Sequence, residues 1–401
     1  MKVTSYYEYY QHTIIKSGSG TRILLPDVIK QLGGTRPVLY SDKGLTNAGI
    51  TQSIINLFER VPGIQLAGVF DNIEQDAKSS YINEAISFYK ERNGDCLIAL
   101  GGGSVMDTVK GVKWAIHHKV SDISLAVMGT LAEGRDSQPF ATPHVAIPTT
   151  AGTGSEVSPG AVILNERLGV KCNIFNPYIS ADYAILDPDL TLGLPPKITA
   201  FTGMDALTHG IEGYFSNKSN AMTDALALQS IRLVVDNLKT AVHEGKNLAA
   251  RSNMLQASSM AILSFCLAVD AVPVHNLAHS FGAKYNIPHG LANVVLLPNV
   301  MTHLPELYLN KIQGLAEALR VDDASPDSET CLKQCIEKII SLREDINLPE
   351  DFTEYSIDPE DIPGLIPLVQ ADPIAMLYKV REDVITKVSK EVIIGTKVKV
   401  I

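Results

Sequence analysis

The sequence predicts two domains in series: an α/β domain built on a parallel, Rossmann-like sheet, and an all-helical domain after it. Three observations lead to this prediction. A chain of 401 residues with 45% hydrophobic content is longer than a single hydrophobic core usually serves. In the first half, short β-rich segments alternate with helical ones, which is typical of parallel βαβ units. After Asp187, long helical periodicities replace the strand signals.

Five β-rich segments mark the strands of the first domain. Each is short, and helical segments such as TNAGITQSIINLFERV and NEAISFYKERN lie between them. We predict strands at RPVLYSD (36–42), LAGVF (66–70), DCLIALGGG (95–103), HVAIPTT (144–150) and YAILD (183–187).

A Pro-rich segment, DPDLTLGLPPK, separates the two halves of the chain. We therefore place the α/β domain at residues 1–194 and the helical domain at residues 195–401. Long periodic segments predict helices at 221–245, 248–269 and 308–321. The acidic, Pro-containing segment 345–361 is expected to be a surface connection between helices.

Composition and charge exclude several classes of protein. A net charge of −10 without a long basic run argues against nucleic acid or an anionic membrane as the main partner. The first residues, MKVTSYYEYYQHT, lack an apolar signal region, and the longest apolar run, AILSFCLAVDAVPV, is too short to span a membrane. We expect a cytoplasmic protein. The five cysteines are scattered and odd in number, so we expect reduced thiols.

Two glycine-containing loops follow predicted strands. In GGGSVMDTVKG, the glycines at 101–103 let the backbone approach a phosphate, and the helix that follows offers free N–H groups. For this loop alone, a tight turn without a ligand is an equal alternative. The loop PTTAGTGSEVS offers hydroxyls to a second part of the same ligand. Together the two loops favour a dinucleotide at the carboxyl ends of neighbouring strands.

Asp42 ends the first of the five predicted strands. A carboxylate there can accept hydrogen bonds from an adenosine ribose and repel a 2′-phosphate, which favours NAD over NADP. A turn-forming aspartate in SDKG is the alternative.

Histidines and one aspartate recur at helical spacing in the second half. Asp205 and His209 are one turn apart, as are His275 and His279, and Pro288 indicates a break that brings His289 back toward them. An oxygen and nitrogen donor set suits Fe(II), Zn(II) or Mn(II), although any one of these histidines could be an ordinary core residue. Since free imidazole has a pKa of about 6.5, protons should compete with a metal at and below that pH.

Four long motifs together resemble one enzyme family. GGGSVMDTVKG, PTTAGTGSEVSP, GMDALTHGIEGY and VHNLAHSFGAKYNIPHGLANVVLLP occur in the order and at the spacing of the iron-containing (group III) alcohol dehydrogenases. The resemblance covers essentially the whole chain. It implies the dehydroquinate synthase-like fold of that family, with a dinucleotide-binding domain followed by a helical, metal-binding domain.

The resemblance also implies roles for individual residues. It assigns the metal to Asp205, His209, His275 and His289, and places His279 in the pocket beside the nicotinamide. It places Gly102, Gly103, Ser104 and Asp107 at the pyrophosphate, Thr149, Thr150 and Thr153 along the cofactor, Lys171 near its ribose, and Asp42 at the adenosine ribose.

The activity that the resemblance implies is hydride transfer between NAD and a small primary alcohol or diol. Fe(II), or alternatively Zn(II), would act as a Lewis acid on the substrate oxygen, in a homodimer or higher homo-oligomer. A zinc-dependent polyol dehydrogenase of the glycerol type, or a dehydroquinate synthase-like enzyme, is the alternative; those typically have three protein ligands. A catalytically dead nucleotide-binding protein is a remote third interpretation, and no predicted ligand is missing.

Three departures from the family pattern affect the predicted site. Asp76 stands where the family often has asparagine, so we expect an anion that weakens or retunes cofactor binding. Asn276 replaces a small residue and is expected to reshape the pocket. The segment 120–140 and His144 lengthen the approach to the second loop.

Overall fold

The computed structural model describes residues 6–59, 61–134 and 137–395. These residues form two compact units. One unit spans Gln11–Leu194, and the other begins at Pro195 and includes the described residues up to Tyr10. The division falls within the Pro-rich segment that we used to separate the two halves of the chain.

The first unit contains a six-stranded sheet in the order β1-β9-β6-β4-β2-β3, and every pairing in it is parallel. The predicted α/β fold class is confirmed, and all five predicted strands are present. The strands are β1 (Ile14–Ser17), β2 (Pro37–Tyr40), β3 (Gly68–Phe70), β4 (Cys96–Gly101), β6 (His144–Pro148) and β9 (Tyr183–Leu186).

The sheet is covered on both faces, because neighbouring residues of its central strands belong to different cores. Leu97 and Ala99 of β4 pack in one core, whereas Ile98 and Leu100 pack in the other. The helices of this unit are α1 (Leu25–Gln31), α2 (Lys43–Asn47), α3 (Ile50–Ile55), α4 (Ser79–Glu91), α5 (Gly103–His117) and α6 (Ile123–Ala126). Helices α4 and α5 cover the first face, and α1 and α3 cover the second.

A second, three-stranded sheet in this unit was not predicted. Its strands are β5 (Thr130–Ala132), β7 (Gly160–Asn165) and β8 (Val170–Phe175), in the order β5-β8-β7. Strands β7 and β8 form an antiparallel hairpin, and β5 pairs with β8 in parallel. The described part of segment 120–140, noted above as a departure, therefore supplies α6 and a strand of this sheet.

The second unit is helical in the described residues from Pro195 onward, as predicted. Its helices are α7 (Pro196–Phe215), α8 (Ala221–His243), α9 (Leu248–Leu267), α10 (Pro273–Tyr285), α11 (His289–His303), α12 (Ile312–Ala318), α13 (Ser328–Asp345), α14 (Ile362–Ala371) and α15 (Glu382–Ile394). Segment 345–361 does connect α13 to α14, but it is not only a surface connection. Phe352 within it is fully buried, and its N–H donates to the carbonyl of Val392, 2.7 Å away.

Two further predictions concern cysteines and membrane helices. No disulfide joins the five cysteines, all of which lie in the described residues. Among those same residues, no helix has both the length and the apolarity to cross a bilayer.

His144, at the start of β6, is fully buried. Neither ring nitrogen has a hydrogen-bond partner in the part of the chain that the structure describes. Burial, reinforced by the charge of Lys113, holds the pKa of this imidazole well below its ordinary value of 6.5. His144 is therefore neutral in the folded protein at a pH where it would be protonated in the unfolded chain.

This burial predicts acid sensitivity. As pH falls below about 6.5 the unfolded chain gains a proton at His144 and the folded protein does not, so the free energy of unfolding should fall by about 1.4 kcal/mol per pH unit. With EDTA present throughout, His144→Leu should lose less in Tm between pH 7 and pH 5 than the unmodified protein. His243→Gln, at an exposed histidine, is the control and should behave like the unmodified protein. Equal losses in Tm for His144→Leu and the unmodified protein would contradict the prediction.

Candidate active site

Helices α7, α10 and α11 of the helical unit carry the predicted metal-binding residues. Asp205 and His209 lie one turn apart on α7, His275 lies on α10, and His289 is the first residue of α11. Gly290 explains how α11 comes so close to α7. A β-carbon there would lie 2.6 Å from the carbonyl oxygen of Phe201, so only glycine fits. The close approach brings His289 to Asp205.

Three of the four predicted ligands meet at one point. Oδ1 of Asp205 is 3.7 Å from Nε2 of His275 and 3.7 Å from Nε2 of His289. All three donor atoms lie within 4.8 Å of one another. His209 lies beside this triad rather than in it: its Nδ1 is 3.8 Å from Oδ1 of Asp205, and its ring stacks on that of His275 at 4.3 Å between centroids.

Glu212, which we did not predict from the sequence, orients His275. The buried carboxylate accepts a hydrogen bond from Nδ1 of His275 and another, 2.7 Å long, from the N–H of Val274. A proton held on Nδ1 leaves Nε2, the nitrogen that faces Asp205, as the one that can bind a metal, which is how carboxylates orient metal-binding histidines. Glu212 is seven residues after Asp205 and three after His209, so helical spacing could have identified it.

Asn293 is a second residue of this site that we did not predict from the sequence. Its Nδ2 donates to Oδ1 of Asp205 at 2.7 Å, and lies 3.3 Å from Nε2 of His275 and 3.2 Å from Nε2 of His289. One nitrogen within 3.3 Å of all three donor atoms shows that these atoms surround one place. Asn293 follows His289 by one turn of α11, so its spacing also placed it on this face.

The electrostatics of this cluster favour a cation. Burial alone would lower the pKa of His275, but the charge of Glu212 and a hydrogen bond to Asp205 overcome it and raise the pKa to about 9. Burial alone would raise the pKa of Asp205, but the neighbouring histidines lower it well below its ordinary value. Two buried carboxylates thus require a positive charge between them, which a proton on His275 supplies in the absence of metal. The residues fit a divalent metal ion.

His279 lies one turn along α10 from His275, outside the triad. Its ring centroid is 5.4 Å from that of His289, and its Nδ1 is 3.1 Å from Oδ2 of Asp372. It is therefore a neighbour of the predicted metal ligands with a carboxylate partner of its own.

In the α/β unit, the two predicted cofactor loops lie against each other. Strands β4 and β6 are paired, and the N–H of Thr149 donates to the carbonyl of Gly101 at 3.0 Å. A β-carbon on Gly102 would lie 3.2 Å from Oγ1 of Thr150, and one on Gly103 would lie 2.8 Å from Cγ2 of Thr153. A side chain at position 103 would displace Thr153, and one at position 102 would press on Thr150, so the two glycines leave room for this contact between the loops.

Asp107 and Lys110 hold the second loop in place. Asp107 accepts hydrogen bonds from Oγ of Ser155 at 2.5 Å and from the N–H of Val162 at 3.1 Å. The fully buried Lys110 donates to Ser155, Ser158 and the carbonyl of Gly160 at 2.6 to 2.8 Å. Both oxygens of Asp107, predicted at the pyrophosphate, are therefore engaged by this loop and by β7. We did not predict a role for Lys110 from the sequence.

Two predicted cofactor residues, Ser104 and Lys171, contact Asp76, which stands where the family often has asparagine. The N–H of Asp76 donates to Oγ of Ser104 at 3.1 Å, and Nζ of Lys171 is 3.1 Å from Oδ1 of Asp76. The expected anion is therefore paired with a cation rather than left alone.

Asp42 and Asn276 both make structural contacts. Oδ1 of Asp42 accepts a hydrogen bond from the N–H of Leu45 at 2.9 Å and caps α2. This cap is the structural role that we gave as the alternative to a ribose contact. It does not use the second carboxylate oxygen. Nδ2 of Asn276 donates to the carbonyl of Val369 at 2.9 Å, so this departure ties α10 to α14.

Comparison with known proteins identifies the family. A family model described as Iron-containing alcohol dehydrogenase matches residues 12–188, and one described as Fe-containing alcohol dehydrogenase family, C-terminal, matches residues 199–385. The 1,3-propanediol dehydrogenase of Citrobacter freundii is 35% identical over 346 residues, which are 86% of this chain and 87% of that protein. The chain belongs to the iron-containing alcohol dehydrogenase family.

Two more members show the extent of the likeness. The choline dehydrogenase of Bacillus subtilis (strain 168) is 32% identical over 377 residues, covering 93% of this chain and 92% of that protein. A crystal structure of 1,3-propanediol oxidoreductase matches with a TM-score of 0.89 at 31% identity, covering 97% of this chain and all of that one. The predicted family is confirmed, and this member is an oxidoreductase of the alcohol dehydrogenase type.

The raised pKa of His275 corrects the pH range expected from free imidazole. Below pH 9 a metal must displace the proton from His275, so affinity for Zn(II) should rise about tenfold per pH unit between pH 7 and pH 9 and then level off. Competition against a chromophoric chelator, corrected for the chelator's own protonation, measures this.

Glu212→Gln is the matched variant for that measurement. It removes the charge that does most to raise the pKa of His275, so the rise in zinc affinity should level off at a lower pH. An affinity that does not change between pH 7 and pH 9 in the unmodified protein would show that His275 carries no proton there.

Proposed function

We propose that this family member is a metal-dependent, NAD(H)-linked dehydrogenase that interconverts a small primary alcohol or diol and its aldehyde. Asp205, His209, His275 and His289 are the proposed ligands of one divalent ion, Fe(II), with Zn(II) as the alternative. One observation carries the proposal: three donor atoms, from the buried Asp205 and from His275 and His289, converge on one place, and the buried Glu212 hydrogen-bonds to the other ring nitrogen of His275. His209, adjacent on α7, is the proposed fourth ligand.

The chain's own residues would prepare the reaction. A bound divalent ion would supply Lewis acidity to the alcohol oxygen, and NAD+ would accept the hydride. Glu212 holds the proton on Nδ1 of His275, and Asn293 holds Asp205 in place. His279, one turn from His275, is the proposed group that takes up the proton of the alcohol or returns it to the aldehyde.

The proposed cofactor site uses the two loops of the α/β unit. The N–H groups at Gly102, Gly103 and Ser104 lie at the start of α5, where a helix favours an anion such as a pyrophosphate. Asp107 is proposed to support cofactor binding indirectly, by accepting a hydrogen bond from Ser155 of the second loop. That loop carries three hydroxyls proposed to line the cofactor, those of Thr149, Thr150 and Thr153. Lys171 and Asp42 are the proposed ribose contacts.

Two of the relatives are named for small alcohols, but for different ones. One relative is a 1,3-propanediol dehydrogenase and another a choline dehydrogenase. A panel of ethanol, butanol, 1,2- and 1,3-propanediol, glycerol and choline, each with NAD+ and NADP+, tests the substrate on protein loaded anaerobically with Fe(II) or with Zn(II). Preference for glycerol with zinc would favour the polyol alternative. Cytoplasmic location and assembly as a homodimer or larger homo-oligomer stay predictions.

Two histidine variants test the division of roles. His275→Ala should lose both metal and turnover, because it removes one member of the triad. His279→Ala should keep its metal and lose rate by roughly 10²-fold or more, because it removes a proton acceptor and no ligand. Elemental analysis and steady-state kinetics measure the two effects. Stoichiometric metal with normal turnover in His275→Ala would remove that residue from the ligand set, and full turnover by metal-free protein would defeat the proposal.

Asp42 can be tested without disturbing its cap. Asparagine caps helices as well as aspartate does, so Asp42→Asn should keep α2 and remove only the charge. The ratio of kcat/KM with NAD+ to that with NADP+ should fall by roughly tenfold, because the repulsion of a 2′-phosphate is lost. An unchanged ratio, with Tm also unchanged, would leave Asp42 with the cap as its only role.

A further inference from the structure

The contact between His279 and Asp372 is buried and joins residues far apart in the sequence. Nδ1 of His279 is 3.1 Å from Oδ2 of Asp372, across 93 positions of the chain, and each side chain is 7% exposed. The carboxylate can only accept, so the proton of a neutral His279 lies on Nδ1. Nε2 then carries the lone pair and is the nitrogen that can take up a proton.

The backbone around Asp372 fixes the carboxylate in one orientation. Asp372 follows the last residue of α14, and its N–H donates to the carbonyl of Leu368 at 3.0 Å. Its Oδ1 accepts from the N–H of Ile374 at 2.9 Å, which caps the next helical turn and leaves Oδ2 for His279.

Asn276 fixes the end of α14 against α10. Its Nδ2 donates to the carbonyl of Val369, three residues before Asp372, and it precedes His279 by three residues on α10. The departure from the family pattern at this position therefore lies in the same junction as the His279–Asp372 contact. Two side-chain contacts, one from each helix, join the end of α14 to the turn of α10 that carries His279.

We propose that Asp372 is a positioning residue for catalysis, which keeps the proton on Nδ1 of His279 and its Nε2 ready to accept. The proposal rests on the proposed function. During oxidation, the alcohol's C–H bond breaks and its hydride passes to NAD+, while the O–H bond breaks and its proton passes to Nε2. The electron pair of the O–H bond forms the second bond of the aldehyde carbonyl. Reduction reverses each transfer.

Two substitutions separate this role from simple capping. In Asp372→Asn, Oδ1 can keep the cap on Ile374, while an NH2 group takes the place of Oδ2. That group donates, so it favours the other tautomer of His279, with the proton on Nε2. Asp372→Ala removes the cap as well as the histidine contact. If Asp372 only capped, the alanine variant would be damaged and the asparagine variant would be nearly normal.

The kinetic arm compares these variants on the best alcohol of the panel. We expect Asp372→Asn to lower kcat by roughly 10²-fold with KM, metal content and Tm unchanged. Asp358 is the matched control, because it caps the turn before α14 through the N–H of Glu360 at 2.9 Å and is exposed. Asp358→Asn and Asp358→Ala should leave kcat unchanged. Normal kcat in Asp372→Asn would overturn the proposal.

The spectroscopic arm does not depend on turnover. In zinc-loaded protein with ¹⁵N-labelled histidine, the signals of His279 are those that disappear in His279→Gln. They should report a proton on Nδ1 in the unmodified protein and on Nε2 in Asp372→Asn. An unchanged tautomer would overturn the proposal even if the protein is an active dehydrogenase. If no alcohol is oxidised, the proposed function fails, and the tautomer alone decides whether Asp372 positions the ring.

Discussion

The requirement for a positive charge between Asp205 and Glu212 governs the arrangement of the helical unit around them. Both carboxylates are buried on α7, and His275 lies between them with one ring nitrogen toward each. Two buried anions without a cation would be very costly, so either a proton or a metal ion must be present. The approach of α11 to α7 at Gly290 brings His289 to Asp205, on the Nε2 side of His275. Under the proposed function, a divalent ion would replace the proton of His275, at residues whose donor atoms already lie close together.

In the α/β unit, two polar loops are held in fixed positions at the carboxyl ends of the neighbouring strands β4 and β6. Gly102 and Gly103 leave room for the contact between the loops, but glycines by themselves make a loop easier to deform. Asp107 and Lys110, one turn apart on α5, compensate by hydrogen bonding to the second loop and the strand after it. The ion pair of Asp76 and Lys171 does the same for the segment before α4. These charged side chains thus serve to fix the backbone of the segments around the two loops.

The sequence predicted the parts of the molecule that depend on local patterns. The five predicted strands and the long helices follow from hydrophobic periodicity, and the pairs Asp205–His209 on α7 and His275–His279 on α10 follow from one-turn spacing. The edge strand β1 could not be found in this way, because Ile14 and Ile15 are partly exposed and give no buried pattern. Glu212 and Asn293 were within reach of the same spacing argument. The partners of Asp372 and Asn276 were not, because their contacts depend on how α14 packs against α10.

The cap at Asp42 has a consequence for how cofactor preference could change during evolution. One side chain both caps α2 and, under the proposed function, disfavours a 2′-phosphate, so a single substitution at this position can change both properties at once. A lineage that replaced Asp42 by alanine would lose roughly 1 kcal/mol of stability from the cap as it gained tolerance for the phosphate. Serine and asparagine keep the cap and lose the charge. The accessible evolutionary routes toward NADP would therefore pass through those two residues.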